Sequence, residues 1–316
     1  MSQPTSNNKT APVRLLVTGA NGQVGWNLER TLAPLGEVIA LTRDQLDLAD
    51  LDAVAQTVRD TGARIVINAA AYTAVDKAES EPDLAHTINA LAPARMAAEL
   101  SKTGGTLIHY STDYVFDGTK KGEYAEDDPT NPLSVYGRTK LEGEQAICGG
   151  KCAHVILRTS WVYDVRGKNF LRTVLRLASE RDELRMVGDQ IGAPTWARTI
   201  AEATTAIAVQ ILRKSNQVEL RGVFHLTSSG ETSWAGFAQA ILEDYEDLLD
   251  WPAETGEFGG ELKAKRVVKI TTADYPTPAR RPQNSVLSNA KIQSAFGINM
   301  PEWRGQLRLA MQDAIR

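Results

Sequence analysis

The chain has 316 residues, of which 42% are hydrophobic and 23% are charged. This balance is that of a globular protein of about two domains and excludes a disordered chain. With 39 acidic and 35 basic residues the net charge is -4, which argues against a nucleic-acid partner. The sequence contains no apolar run of the roughly 20 residues that span a bilayer, and residues 1–12 lack the apolar stretch of a secretory signal, so we expect a cytoplasmic protein.

Short β-branched apolar runs alternate with helical stretches from residue 13 onward. We predict strands over 13–18, 37–41, 64–70, 106–111 and 154–159, and helices up to residue 32 and over 51–60, 82–102 and 135–147. Strands buried on both faces look like continuous apolar runs, and this alternation is typical of right-handed βαβ crossovers. The sequence therefore predicts an α/β fold with a doubly wound parallel sheet in a first domain, residues 12–160.

The remainder of the chain is less regular. We predict helices over 170–180, 197–213 and 234–248, a strand over 222–226, and an amphipathic tail from residue 300. This pattern indicates a smaller mixed α/β substrate domain over 161–316, from which residues of about 195–226 rejoin the first domain.

The sequence GANGQVG, residues 19–25, lies between the first strand and the first helix. Glycine at the first position permits a tight turn, at the second lets backbone N–H groups approach a pyrophosphate, and at the third lets the helix pack closely on the sheet. The position predicts a dinucleotide site. The candidate contacts are Gly19, Asn21, Gly22, Gln23, Val24 and Gly25.

Residues at the end of the second strand should contact the ribose of the dinucleotide and distinguish NADPH from NADH. Arg43 favours the 2′-phosphate of NADPH, whereas Asp44 leaves NADH open. Small residues after the third strand would let the backbone pass close to the cofactor. The candidate contacts here are Asp47 and Leu48 beside the adenine, and Ala69, Ala70, Ala71 and Tyr72 after the third strand.

Tyr136 and Lys140 are four residues apart, hence on one face of the predicted helix. A nearby ammonium stabilises a phenolate and lowers the pKa of a tyrosine from about 10 towards the neutral range, where proton transfer is efficient. The fourth strand ends in Ser111 and Thr112, and catalytic groups of open α/β sheets gather at the carboxyl ends of strands. A hydroxyl there can donate to a substrate carbonyl beside the tyrosine.

With these motifs the sequence resembles the extended short-chain dehydrogenase/reductase family, and within it the dTDP-4-dehydrorhamnose reductases. The stretches that carry the resemblance are TGANGQVGW (18–26), NAAAYTAVDKAESEP (68–82), HYSTDYVFDG (109–118), NPLSVYGRTKLEGE (131–144), RTSWVY (158–163), NFLRTVLRLA (169–178), DQIGAPT (189–195) and YPTPARRPQNS (275–285).

The resemblance implies a Rossmann-type fold and specific roles. Tyr136 would be the proton donor, Lys140 its partner and a cofactor contact, and Thr112 the hydroxyl that holds the C4 carbonyl. NADPH or NADH would deliver a hydride to C4 of dTDP-4-dehydro-L-rhamnose, which gives dTDP-L-rhamnose in the last step of its biosynthesis. It further implies Tyr110 as a cofactor contact and, as substrate contacts, Asp113, Trp161, Asn169, Arg281 and Asn284.

Some members of the family form a dimer around Mg²⁺ held by glutamates. This sequence has Asn27 and Arg198 at the matching positions, which argues against such a dimer and leaves the oligomeric state open. The scattered histidines indicate no metal site.

Three alternatives to the reductase remain at this stage. They are a 4-keto reductase for a related deoxysugar, a nucleotide-sugar epimerase or dehydratase, and a non-catalytic regulatory subunit of the methionine adenosyltransferase type.

Overall fold

A computed structural model describes residues 12–213, 220–249 and 261–315, so the polar segment 1–11 lies outside the described residues. Six strands form a parallel sheet: β1 (Arg14–Thr18), β2 (Glu37–Leu41), β3 (Ile65–Asn68), β4 (Thr106–Thr112), β5 (Ala153–Thr159) and β10 (Gly222–His225). Their order across the sheet is β10-β5-β4-β3-β1-β2. Four of them, β1, β3, β4 and β5, contain a buried stretch of apolar residues, as the sequence predicted.

Helices cover both faces of this sheet, which confirms the doubly wound fold. On one face α1 (Gln23–Leu32) packs against α8 (Ala197–Arg213), and on the other α2 (Leu51–Thr61), α5 (Ala92–Thr103) and α6 (Val135–Cys148) lie side by side. Leu15 and Val17 of β1 face the first pair of helices, whereas Leu16 faces the second group. The alternation follows from the two-residue period of a strand.

The prediction of a single helix over 82–102 is wrong in one respect, because the helix is interrupted. The structure contains α4 (Pro82–His86), a π-helical turn (Thr87–Leu91) and then α5, with a short α3 (Val75–Ala78) before them. Asn89, inside the π-helical turn, is buried and holds the segment after β3: it accepts from the Tyr72 N–H at 2.8 Å. Such a turn is frequent at functional sites because it redirects one side chain out of the helical register.

A second hydrophobic core lies among α7 (Phe170–Glu180), α9 (Trp234–Leu249) and α11 (Trp303–Ile315). It includes a parallel pair of strands, β7 (Leu184–Val187) and β12 (Val267–Ile270). Shorter pairs join β6 (Val162–Tyr163) to β9 (Thr195–Trp196) and β8 (Ile191–Gly192) to β11 (Thr232–Ser233). The remaining helix, α10 (Ala290–Phe296), packs against β10.

Among residues 12–213, 220–249 and 261–315, none of the helices has both the length and the apolar character that crossing a membrane requires.

Candidate active site

The glycine turn forms a narrow connection between β1 and α1. A Cβ built on Gly25 would lie 2.0 Å from the Gly19 carbonyl oxygen, so only glycine lets the helix approach this closely. The backbone of Ala69 and Ala70 lies against Gly19 on the other side. Because the N-cap residue Gly22 has no side chain, the N–H groups that open α1 are left for another acceptor, and a helix N-terminus favours an anion. The turn fits the pyrophosphate of a dinucleotide.

The predicted ribose and adenine contacts follow β2. Arg43 is 70% exposed and forms only a loose ion pair, 3.8 Å, with Asp47, so its guanidinium is available to a phosphate. Leu48 packs into the core beside α2 and is 5% exposed, which leaves little of its side chain for an adenine. The Tyr72 hydroxyl donates to Glu81 at 2.7 Å.

Helix α6 brings Tyr136 and Lys140 to the carboxyl end of β4. Ser134 caps the helix by accepting from the Gly137 N–H at 3.2 Å. A Cβ on Gly137 would lie 2.2 Å from the Tyr114 carbonyl oxygen, so this glycine lets α6 lie directly against the turn after β4. The rings of Tyr114 and Tyr136 then meet edge to face, with centroids 5.5 Å apart.

The half-buried Tyr136 and the buried Thr112 and Asp113 form one cluster. The expectation of a lowered pKa for Tyr136 is wrong: burial raises this pKa to about 12, and a hydrogen bond with the Thr112 side chain opposes the rise. The Thr112 hydroxyl donates to Asp113 Oδ1 at 2.9 Å. Burial also raises the pKa of Asp113 to about 6, against the hydrogen bonds from Ser285 and Thr112. At neutral pH the phenol is therefore protonated and Asp113 is largely ionised.

Lys140 is 2% exposed and lies beneath this cluster. Its Nζ donates to the Tyr110 carbonyl oxygen at 2.6 Å and lies 3.2 Å from His109 Nε2. Burial lowers the pKa of Lys140 to about 8, while the Glu144 carboxylate one turn further on opposes the shift. The pKa of His109 is held well below its ordinary value by burial and by Lys140, so its ring is neutral.

A buried ion pair fixes α6 on β5. Arg158 donates from Nε to Glu144 Oε1 at 2.9 Å and from Nη2 to Oε2 at 2.6 Å, and both side chains are at most 4% exposed. The two parallel hydrogen bonds give the pair a defined geometry and thereby fix the position of α6. Lys140 lies on the preceding turn of the same helix, so its position is fixed as well.

Trp161 is the one described non-glycine residue with a positive φ, +47°. Its indole stacks on Trp234 with centroids 3.6 Å apart and planes 9° apart, and it also lies against Gly192. Trp234 in turn donates from Nε1 to Gln190 Oε1 at 3.2 Å. A sugar would therefore meet only the part of Trp161 that these neighbours leave uncovered.

The structure directs three of the predicted contacts elsewhere. The Tyr110 phenol points to the opposite face of the sheet and bonds Thr204 of α8 at 2.7 Å. Asn169 is the N-cap of α7 and also donates to the Asp164 carbonyl oxygen. Asn284 donates to the carbonyl oxygens of residues 120 and 122 and accepts from the N–H of residue 286. Their polar side-chain atoms are hydrogen-bonded within the protein, and their assignment as cofactor or substrate contacts stays a prediction.

Arg281 comes from the distant segment 275–285 and reaches the turn after β4. Its Nη2 donates to Asp76 at 2.8 Å, and its guanidinium interacts with the Tyr114 hydroxyl. The side chain is 24% exposed and lies beside the reactive cluster, which suits a contact with a nucleotide diphosphate.

The positions that matched the metal-bridged dimer are occupied otherwise. The Asn27 amide donates to Asp164 at 2.6 Å, and Arg198 pairs with Glu202 and Asp313. Within the described ranges, His, Cys, Asp and Glu form no group of three that could hold a metal ion.

Sequence reasoning missed the residues that support the cluster from behind. Asn68 and His109 lie on neighbouring strands, and Glu144 and Arg158 on a helix and the strand after it. All four lie in stretches that carry the family resemblance. A polar residue inside an otherwise apolar buried strand is the signal that could have identified them, because such a group needs a partner.

A parallel sheet with a glycine turn after β1, together with a Tyr-x-x-x-Lys helix packed against a strand ending in Ser-Thr, defines a nucleotide-dependent oxidoreductase of the short-chain dehydrogenase/reductase class. Residues 13–315 match the family model described as RmlD substrate binding domain. The chain belongs to the dTDP-4-dehydrorhamnose reductase family.

Individual relatives agree with this assignment. The chain is 49% identical over 304 residues to the dTDP-4-dehydrorhamnose reductase of Burkholderia thailandensis, covering 96% of this chain and 99% of the relative. The reductase of Escherichia coli K12 is 43% identical over 297 residues, covering 92% and 95%. A crystal structure of the Bacillus anthracis reductase in complex with NADP superposes with a TM-score of 0.83 at 31% identity, covering 95% of this chain and 99% of that one.

Proposed function

We propose that the protein reduces the C4 carbonyl of dTDP-4-dehydro-L-rhamnose to the alcohol of dTDP-L-rhamnose, with NADPH as reductant. The observation that carries the proposal is the cluster of Tyr136, Thr112 and Lys140 at the carboxyl end of β4, on the same sheet as the glycine turn. The identity of 49% to a dTDP-4-dehydrorhamnose reductase supports the choice of substrate.

The residues present suit an NADP-type dinucleotide. The opening turn of α1 suits the pyrophosphate, and the exposed Arg43 suits a 2′-phosphate. A relative of known structure binds NADP. When bound, the reduced nicotinamide supplies the hydride.

Tyr136 is the group that protonates the developing alkoxide. With its pKa raised to about 12, its hydroxyl keeps the proton at neutral pH and gives it up only as negative charge builds on the C4 oxygen. The Lys140 ammonium stabilises the phenolate that remains. Thr112 now donates to Asp113, so a substrate carbonyl has to compete with Asp113 for that hydroxyl proton.

The two hydrophobic cores support separate binding units for the dinucleotide and the nucleotide sugar. We assign the dinucleotide to residues 12–160 together with the returning segment of about 195–226, and the nucleotide sugar to the smaller unit formed by the rest of 161–316. Trp161, just after β5, stacks on Trp234 of α9, and Arg281 from the later segment donates to Asp76 of the first domain. These two residues are the proposed sugar and diphosphate contacts.

The test is the loss of absorbance of the reduced nicotinamide at about 340 nm. The mixture contains NADPH or NADH, dTDP-4-keto-6-deoxyglucose and a 3,5-epimerase that makes the L-lyxo substrate. We expect oxidation that requires the epimerase and is faster with NADPH, because the 2′-phosphate pairs with Arg43. Oxidation without the epimerase would indicate a differently configured deoxysugar. Binding of either cofactor without oxidation would contradict the proposal.

A further inference from the structure

A row of polar side chains crosses the sheet beneath the reactive cluster. Thr18 ends β1, Asn68 ends β3, and the two pair in register; Asn68 pairs in turn with His109 of β4. All three side chains are at most 1% exposed. The row ends at Lys140, which the proposed mechanism uses, whereas that mechanism gives His109 no role.

The orientation of the Asn68 amide follows from its neighbours. The backbone N–H of Ala70 is an obligatory donor and lies 3.3 Å from Asn68 Oδ1, and the Thr18 hydroxyl donates to the same oxygen at 2.7 Å. The oxygen therefore faces Thr18, and the amide nitrogen faces His109. Asn68 Nδ2 donates to His109 Nδ1 at 3.0 Å.

This contact fixes the tautomer of His109. A neutral imidazole has one donor and one acceptor nitrogen, so a ring that accepts at Nδ1 carries its proton on Nε2. That proton faces Lys140 Nζ at 3.2 Å. An ammonium has only donors, whereas an amine has a lone pair that can accept the proton.

We infer that His109 is a positioning residue that acts through Lys140: held by Asn68 with its proton on Nε2, it donates to the Lys140 amine and favours the neutral amine over the ammonium. The other charged or titratable groups on this side are Glu144 of α6, which is paired with Arg158 of β5, and Tyr136 one turn earlier on α6, on which the Asp113 carboxylate acts. Of these, Glu144 favours the ammonium. Burial lowers the pKa of Lys140 and Glu144 opposes the shift, so both forms are accessible near neutral pH. The proton of His109 adds to the preference for the amine, and Lys140 can then return a proton to Tyr136.

The inference rests on the proposed function only for the return of a proton from Lys140 to Tyr136. The protonation of His109 and Lys140 is a property of the cofactor-free protein and can be measured without turnover. The first measurement is a long-range ¹H–¹⁵N correlation spectrum of protein labelled with ¹⁵N-histidine. The chain has four histidines, and the signal of His109 is the one that His109→Gln removes. We expect a protonated Nε2 and an unprotonated Nδ1 at pH 7. A protonated Nδ1, or a charged ring, would overturn the inference.

The second measurement follows the titration of the Lys140 Cε signal in protein labelled with ¹³C-lysine, assigned with Lys140→Met. Asn68→Asp presents a carboxylate that accepts from Nδ1–H, which turns Nε2 into an acceptor for the ammonium. His109→Gln can present its carboxamide oxygen to the same ammonium. We expect each variant to raise the Lys140 midpoint by about one pH unit.

The control is His154→Gln, because His154 bonds the Cys152 carbonyl oxygen at the start of β5 and does not touch Lys140. This variant should leave the midpoint unchanged. An unchanged or lowered midpoint in His109→Gln would refute the inference even if Asn68→Asp does not fold. Failure of the reductase assay would leave these results standing, so the two proposals fail separately.

Discussion

The Tyr136 hydroxyl is the single atom on which the proposed chemistry depends most. Tyr136→Phe keeps the ring that meets Tyr114 edge to face but removes the proton. We expect kcat to fall by about 10²–10⁴-fold, the usual contribution of a general acid, with the Kd for NADPH changed less than twofold. The matched control is Tyr110→Phe, which removes a phenol on the opposite face of the sheet and should retain turnover. Equal losses in both variants would remove Tyr136 from its role.

The Asp113 carboxyl should lower the free energy of unfolding at neutral pH. Its pKa is raised to about 6 by burial, above the ordinary value of 3.8, so the folded state holds a proton that the unfolded state has lost. The free energy of unfolding therefore decreases as pH rises from about 4 to 6, by up to about 3 kcal/mol. Urea titrations at several pH values should show Asp113→Asn gaining about 2 kcal/mol relative to the wild type between pH 4.5 and 7.

The exposed Asp182→Asn variant is the control for the loss of one carboxylate. A constant difference between Asp113→Asn and the wild type across this pH range would mean that burial does not perturb Asp113. A gain in stability accompanied by a loss of turnover is the result expected of a functional carboxyl held in an unfavourable environment.

At the scale of elements, the approach of α1 to the sheet controls cofactor binding. In Gly25→Ala the new methyl group meets the Gly19 carbonyl oxygen, which must move. We expect a loss of about 1–3 kcal/mol of stability and NADPH binding weakened at least about tenfold, measured by denaturation and by calorimetry. In the control Gly305→Ala, within α11, a Cβ meets nothing within 4 Å, so stability should stay level or rise by up to about 1 kcal/mol. NADPH binding unchanged in Gly25→Ala would contradict the assignment of the turn.

Most elements could be predicted from the sequence because their signals are local. Residues 170–180 form a helix with those bounds, as their periodicity predicted, and four of the six sheet strands contain a buried apolar stretch. The π-helical turn at 87–91 could not be predicted, because Asn89 leaves the helical register to bond Tyr72, a partner 17 residues away. The capping role of Asn169 could not be predicted for a related reason, since it depends on where α7 begins.

The residues of the candidate site that could be predicted are those whose role follows from their spacing in the sequence. Tyr136 and Lys140 lie on one helix, so their spacing sufficed, and Thr112 ends a strand that the alternation identified. The polar row behind them was not predictable. Asn68 is 50 residues from Thr18 and 41 from His109 in sequence, and the three meet only through the register of β1, β3 and β4.

At the scale of the whole molecule, the sheet is not complete within the first half of the chain. Strand β10 joins the edge of β5, and α8 covers the face of β1, yet both follow residue 196. Ile200 and Ile207 of α8 are fully buried against Leu15 and Val17. The surface that carries the glycine turn is therefore stabilised by side chains from a distant part of the sequence.

A fragment of residues 1–163 should consequently fail to fold on its own. Without α8 it would expose the apolar face beneath α1, whose burial is worth about 1.5–3 kcal/mol for each large aliphatic side chain. We expect neither a cooperative thermal transition nor NADPH binding from this fragment, and both to return when residues 164–316 are co-expressed with it as a second chain. A fragment 1–163 that melts cooperatively and binds NADPH alone would show that the dinucleotide unit is autonomous. Recovery by the second chain would show instead that α8 and β10 belong to that unit physically, although the chain enters the other core before reaching them.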